Sequence, residues 1–257
     1  MQVAVISDLH LGTGGSADGF GHDDFDFLRF LTFLERSFER IVLLGDIYET
    51  LTSWRPGSAH AALKAARAAH PEIAQRFGRG PYHYLHGNHD WVAGTAEKVP
   101  EEIVLEDHGV RLWFAHGHQG DPFVQRARWL SELGVWLGGI LRRLGMHGVY
   151  QALGTIGKPK LYPFAEQLIA AARTADLPQV VASGFLARIE VSAFETWAVE
   201  GARLRNANVV ITGHTHQALR TEHGNEVFLN SGSCTGGQFS FLSLDTKTAD
   251  YRVHDRW

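Results

Sequence analysis

One cysteine in 257 residues, Cys234, leaves the chain nothing to close an internal disulfide with, so the fold must be held by packing and hydrogen bonds, as suits a reducing compartment. No run reaches the roughly 18 apolar residues of a membrane span. The opening stretch "MQVAVISDLH" lacks the basic region and long apolar core of a secretion signal, and the expected location is cytoplasmic. Positive charge is not in excess either: the formal net charge is −4, so no global basic field recruits nucleic acid, and none is expected as a partner. Internal repeats and low-complexity tracts are missing. With 44% hydrophobic and 20% charged residues the composition is that of an ordinary globular protein, not a disordered chain. Against these shortages one residue is plentiful. There are fifteen histidines, several of them in close pairs.

Five short apolar runs each end in Gly, Asp, Asn or His: "VAVISDLH" (3–10), "RIVLLGDIY" (40–48), "YHYLHGNHD" (82–90), "RLWFAHGH" (111–118) and "NVVITGHTH" (208–216). Continuous runs of this length read as strands buried on both faces. Between them, 22–40 places Phe27, Phe30, Leu31 and Leu34 at helical spacing behind Asp23 or Asp24 as N-cap, and alanine-rich 58–70 also reads as helix. Strands alternating with helices predict an α/β layered domain. Ligands of such domains gather at the carboxyl ends of the strands, where all five polar clusters lie, so they are expected to converge. The stretch 120–205 breaks the pattern and reads mainly as helix; we take it as a helical cap insertion within a single domain, 1–257. After 208 the runs "NVVITGHTH", "QALRTEHG", "EVFLNSGS", "QFSFLSLD" and "ADYRVHD" read as a meander.

The clusters carry the donor atoms of a metal site. Asp8 and His10 stand two apart, and on an extended strand end both would point one way. Asp46 follows a glycine. Asn88, His89 and Asp90 are consecutive. His116, His118 and Asp121 follow, then His214 and His216, again two apart. Mixed imidazole and carboxylate donors suit borderline transition metals, not calcium. They outnumber the needs of one ion, so two are expected, with Asp46 as the natural bridge. Each motif alone has a plain reading as a capped or surface turn. Together, in this order and always at strand ends, they do not.

In that order Asp-x-His, Gly-Asp, Gly-Asn-His-Asp, His and Gly-His-x-His resemble the calcineurin-like metallophosphoesterase superfamily, over residues 8 to 216. The resemblance implies a four-layer αββα sandwich, two sheets flanked by helices, with a dinuclear metal site. It assigns Asp8, His10, Asp46 and His216 to one ion and Asp46, Asn88, His116 and His214 to the other, with Mn²⁺ the expected metal and Fe or Zn²⁺ as alternatives. His89 then sits beside the substrate phosphate as acid or transition-state stabiliser. Two ions about 4 Å apart would hold a bridging hydroxide for in-line attack on phosphorus. An acid must orient His89, and the candidates are adjacent Asp90 and Glu49, with Glu49 preferred. His118 is a candidate for substrate contact or for supporting a ligand, and Asp121 for orienting a histidine.

The implied activity is hydrolysis of a phosphomonoester or phosphodiester. "GDIYET" departs from the protein-phosphatase pattern "GDYVDRG". The elements "SDLHLG" and "LGDIYE" and the helical insertion are closer to bacterial UDP-2,3-diacylglucosamine pyrophosphatases, although "GNHDW" stands where those have "GNRDF" and "HGH" where they have "HGD". A lipid pyrophosphatase is therefore the alternative, with a non-catalytic scaffold or a nuclease of the same superfamily less favoured. Between 122 and 160, Arg126, Arg128, Arg142, Arg143, Lys158 and Lys160 face only Glu132 and are interleaved with Trp129, Trp136, Leu137 and Ile140. Such a helix suits an anionic amphiphilic substrate, with Arg126 as a substrate contact, or a membrane surface. The plainer reading, a helix packed on the main domain with a basic outer edge, is preferred. Two adjacent glycines within it, Gly138 and Gly139, weaken it as an isolated helix.

Overall fold

The computed structural model describes residues 1–15, 18–52, 58–121, 124–125, 128–146 and 193–257. Most of the helical segment expected between 147 and 192 lies outside the described residues, as does Arg126. The strands are β1 (Gln2–Ile6), β2 (Arg40–Leu44), β3 (Tyr82–Leu85), β4 (Glu102–Asp107), β5 (Val110–Ala115), β6 (Val209–Thr212), β7 (Leu219–His223), β8 (Glu226–Asn230), β9 (Phe241–Asp245) and β10 (Asp250–His254). The helices are α1 (Asp24–Ser37), α2 (Ala59–Ala69), α3 (Pro71–Phe77), α4 (Val92–Glu97), α5 (Arg128–Arg143) and α6, residues 193–204.

The strands form two five-stranded mixed sheets, ordered β10-β9-β1-β2-β3 and β4-β5-β6-β8-β7. Alternation along β1 shows why they stack. Val3 and Val5 enter the layer between the sheets with Val42, Leu44, Phe114, Ile211 and Leu229. Ala4 and Ile6 face the opposite way, into a core with Phe27, Phe30, Leu31 and Leu34 of α1. That helix starts where Asp23 accepts from the amides of Phe25 and Asp26. On the outer face of the second sheet Trp113, Val210 and Phe228 pack against Phe194, Ala198 and Ala202 of α6. The order is thus helix, sheet, sheet, helix.

The segment after 208 is not one meander. β6, β8 and β7 belong to the second sheet, with β6 and β8 parallel, whereas β9 and β10 cross to the first, where β9 runs antiparallel to β1. The run "SGSCTGG" between β8 and β9 makes the crossing, and Cys234 N donates to Ser7 O at 3.2 Å on the way. Parallel pairs β1–β2, β2–β3 and β5–β6 bring the five motif-bearing carboxyl ends to one rim.

Candidate metal and phosphoester site

β1 ends at Ile6, so Asp8 and His10 do not lie on an extended strand. Their common direction has another cause. Asp8, His10, Asp46, His214 and His216 all adopt left-handed backbone, with φ of 53°, 49°, 52°, 66° and 57°. They are five of the nine non-glycine residues with positive φ among the described residues. Such residues each carry a conformational cost of order 1 kcal/mol or more, and clusters of them mark functional sites. The loops are held open in this shape by long-range bonds. Asp8 N donates to Gly45 O at 3.1 Å, and His10 N to Asp46 O at 2.9 Å. Gly45, at φ 81°, passes so close to His116 that a Cβ would lie 2.5 Å from its ring. A Cβ on Gly213 would meet Ser7 Oγ and Asp8 Oδ2 at 2.5 and 2.6 Å. The glycines of "LGD" and "TGH" are therefore spacers for close approach.

Asp46 is the centre. Its Oδ2 lies 3.2 Å from His116 Nε2 and 4.0 Å from His10 Nε2, and its Oδ1 accepts from His89 N at 2.8 Å. On one side Asp8, His10 and His216 bring ligand atoms together; on the other Asp46, His116 and His214 do so. Asp8 Oδ1 stands 3.1 Å from His216 Nε2. His116 is fully buried, and its Nδ1 is bonded to Leu44 O at 2.8 Å. Only Nε2 is therefore left to face the cluster. Of the expected ligand atoms, Asn88 Oδ1 is buried without a hydrogen-bond partner, and Asp8 Oδ1 and His116 Nε2 meet only other members of the cluster, in ion-pair contacts that are not well-aligned hydrogen bonds. Burying such atoms unsatisfied is costly, and an ion is what would satisfy them. The donor chemistry, imidazole with carboxylate, fits divalent transition-metal ions.

The charges agree. Burial disfavours ionisation of Asp46, yet His116, His89 and His10 around it hold the carboxyl well below its usual range. Burial likewise opposes a charge on His116, and Asp46 and Asp8 overcome it, raising the imidazole to about 9.

His89 forms a separate pair. Its Nδ1 lies 2.8 Å from Glu49 Oε2, and its ring meets that of His10 edge-on at 4.5 Å. Burial would lower its pKa, but Glu49 and then Asp46 raise it to about 10. Asp90 does not reach this imidazole. Its buried carboxylate accepts from the amides of Gly87, Ile47 and Tyr48 and from the Tyr84 hydroxyl, at 2.6, 2.8, 3.3 and 2.6 Å. It ties the β2 and β3 loops together, so of the two candidate acids the geometry brings Glu49 to His89.

His118 is buried next to His116, with ring centroids 5.6 Å apart. Its Nε2 lies 3.0 Å from Glu101 Oε1, a partner that no motif announces. His214 Nε2 lies 3.0 Å from Asp121 Oδ2. A carboxylate there accepts the ring N–H and leaves Nδ1 for the cluster. Sequence reading missed Ser7 as well. Its hydroxyl, bonded to Ser231 Oγ at 2.7 Å, contacts Asp8 Oδ2, and only the three-dimensional meeting of β1 with the loop after β8 reveals it.

A family model described as calcineurin-like phosphoesterase matches residues 1–218. The UDP-2,3-diacylglucosamine hydrolase of Shigella sonnei (strain Ss046) is 31% identical over 125 residues, 46% of this chain and 48% of that protein. The enzyme of the same name from Escherichia coli (strain K12 / DH10B) gives the same figures. The chain thus spans about half the length of the curated relatives it matches. Among solved structures, Chaetomium thermophilum Vps29 aligns at 13% identity and a TM-score of 0.44, covering 99% of this chain and 93% of that one. Yfce, a phosphoesterase from E. coli, aligns at 15% and 0.42, covering 99% of both.

Proposed function

The chain belongs to the calcineurin-like phosphoesterase family, and from that premise we propose that it is a dinuclear metal-dependent hydrolase of a phosphomonoester or phosphodiester. The observation that carries this reading is the convergence of the ligand atoms of Asp8, His10 and His216 on one side and of Asp46, His116 and His214 on the other. Asp8, His10, Asp46 and His216 would hold one ion, and Asp46, Asn88, His116 and His214 the other. Two bound divalent ions, most simply Mn²⁺, supply charge neutralisation for phosphate oxygens and bring the pKa of water toward neutrality. The protein does the rest. Glu49 keeps the His89 imidazole protonated and aimed, so that its Nε2–H can be given to the leaving oxygen or bonded to the transition state's charge. Left-handed backbone at five donors holds them in place before substrate arrives.

A second reading has its own observation. α5 exposes Leu133 and Leu137, and just beyond it Leu144 and Met146 are also exposed. An exposed apolar surface on this helix supports an amphiphilic substrate or contact with the surface of a membrane, and curated relatives bear the name UDP-2,3-diacylglucosamine hydrolase. Among the described residues no helix is long and apolar enough to cross a membrane. The single buried cysteine favours action in a reducing compartment.

Initial rates of Mn²⁺-loaded protein on a phosphomonoester, a phosphodiester and UDP-2,3-diacylglucosamine separate these readings. Turnover of the simple esters alone supports the first. Strong preference for the nucleotide lipid supports the second. No turnover of any of the three under metal saturation would leave the fold as a binding scaffold.

A further inference from the structure

Two consecutive glycines in the interior of a helix destabilise it relative to alanine. Gly138 and Gly139 of α5 are both buried. At Gly139 the cost has a cause in three dimensions. A Cβ there would lie 2.9 Å from Thr52 Cβ, 3.2 Å from its Cγ2 and 3.3 Å from its Cα. Those atoms are the root of a side chain and its backbone, not a flexible tip, so a side chain at 139 must push the helix and the loop apart. At Gly134, one and a half turns earlier, an added Cβ would meet nothing within 4 Å. The close approach belongs to one position.

Thr52 is three residues beyond Glu49, and its backbone is tied to that carboxylate. Glu49 Oε1 accepts from Leu51 N at 2.8 Å and Thr52 N at 3.1 Å. The other oxygen, Oε2, meets His89 Nδ1 at 2.8 Å and His10 Nδ1 at 3.4 Å. Both oxygens are engaged, so Glu49 cannot turn toward His89 unless the 51–52 backbone lies where the structure has it. Thr50 reinforces the pair, its N donating to His89 O at 3.3 Å and its hydroxyl contacting the same carbonyl.

We propose that Gly139 is a positioning residue for the reaction centre: its bare Cα lets α5 seat on Thr52, and that seat fixes the amides that hold Glu49, and through Glu49 the ring of His89. The inserted helical segment and the chemistry are thereby coupled mechanically. Whatever lifts α5 releases Glu49, and whatever settles α5 aligns it. The inference rests on the catalytic roles proposed above for Glu49 and His89.

The test is a set of four variants, Gly139→Ala, Thr52→Gly, the double variant and Gly134→Ala, assayed with Mn²⁺ on chromogenic aryl phosphates and by amide hydrogen exchange. Gly139→Ala is expected to lower kcat about tenfold or more at little change in KM and unchanged metal content, the pattern of a lost transition-state interaction, and to speed exchange at the Leu51 and Thr52 amides. Thr52→Gly removes the two nearest atoms, Cβ and Cγ2, leaves only Cα at 3.3 Å and keeps the amide, so the double variant is expected to regain most of both losses. Gly134→Ala, the same change in the same helix without a neighbour, is expected to leave both unaltered. Wild-type kcat and exchange in Gly139→Ala overturn the proposal. So does a loss that Thr52→Gly fails to restore, or an equal loss in Gly134→Ala. Wild-type protein that hydrolyses no phosphoester overturns the functional reading instead, and the exchange rates then still decide whether the seat of α5 governs the Glu49 loop.

Discussion

His89 Nδ1 and Glu49 Oε2 lie 2.8 Å apart, although forty positions separate them in the chain. Burial of the imidazole would make it neutral, but in the metal-free protein Glu49 first and Asp46 second raise its pKa to about 10, and cations bound at Asp46 would bring it down from there. A histidine that donates a proton is active below its pKa, so turnover is expected to persist through neutral pH and fall on the alkaline side. His89→Ala removes the donor and is expected to cost about 100- to 10,000-fold in kcat, with metal content intact. Glu49→Gln withdraws the charge that raises the pKa, so its alkaline limb is expected at lower pH than in the wild type. A kcat–pH profile of the three proteins checks this; an unaltered limb in Glu49→Gln would separate the pair from catalysis.

Cys234 offers a prediction independent of the site chemistry. Burial pushes its thiol up to about 12, and the Sγ–H donates to Ser240 O at 2.9 Å. The thiolate is the reactive form, so iodoacetamide at pH 8 is expected to leave the folded protein unlabelled and to label it fully in denaturant. The folded form holds this proton more tightly than the unfolded one, so Cys234 adds a loss of stability as pH rises from about 9 toward 12. Rapid native labelling at pH 8 would mean that the 231–240 crossing opens readily.

The five strand ends were legible because each joins a dense apolar run to consecutive polar donors, and the helix behind Asp23 because its apolar spacing repeats every three to four residues. The half-buried edge strand β4 gave no such run, since only one of its flanks is paired. The division of the last four strands between two sheets was hidden for a different reason. Turn residues mark where strands end, but nothing local says which distant strand each will join. At the site the donors were readable by type and order, whereas their left-handed backbone was not. The expectation of an extended Asp8–His10 pair assumed the strand continued past Ile6. The separation of Glu49 from Asp90 likewise depended on which carboxylate the loop amides capture, and only the folded loops decide that.

Asp90 illustrates the consequence. Its carboxylate, which burial and then the neighbouring charge of Asp46 push toward a higher pKa, stays in place by accepting from four loop amides, those of Asp46, Ile47, Tyr48 and Gly87, and from Tyr84. Bonds to a charged acceptor are worth about 1.5–3 kcal/mol each, and an amide nitrogen in place of one oxygen would face donors. Asp90→Asn is expected to lower thermal stability by several degrees and to impair activity through loss of the loop geometry, whereas His89→Ala, which loses the buried pair with Glu49 and so some stability, is expected to lose activity with the loops and metal content intact. Thermal melts of both variants, run beside activity, distinguish a brace from a reacting group; Asp90→Asn with wild-type melting and a shifted pH profile would make it the reverse.

Metal uptake should be coupled to protons. His116 is raised to about 9, burial opposing and Asp46 and Asp8 outweighing it, so near neutral pH the metal-free protein carries a proton on the Nε2 that faces the cluster. A ligand must lose that proton to bind an ion. Mn²⁺ binding is therefore expected to release protons and to tighten as pH rises from 6 to about 9, the range in which His116 gives up its proton. The stability that protonated His116 lends the metal-free fold runs the other way: it is present below the unfolded pKa and is lost as pH rises through about 9. Calorimetric titration in buffers of different ionisation enthalpy measures the protons directly. Asp46→Asn removes the carboxylate proposed above to be shared and the largest of the charges that raise His116, so it should bind fewer ions and release fewer protons per ion. Proton release equal to wild type in Asp46→Asn would locate the titrating group elsewhere and remove Asp46 from the centre of the site.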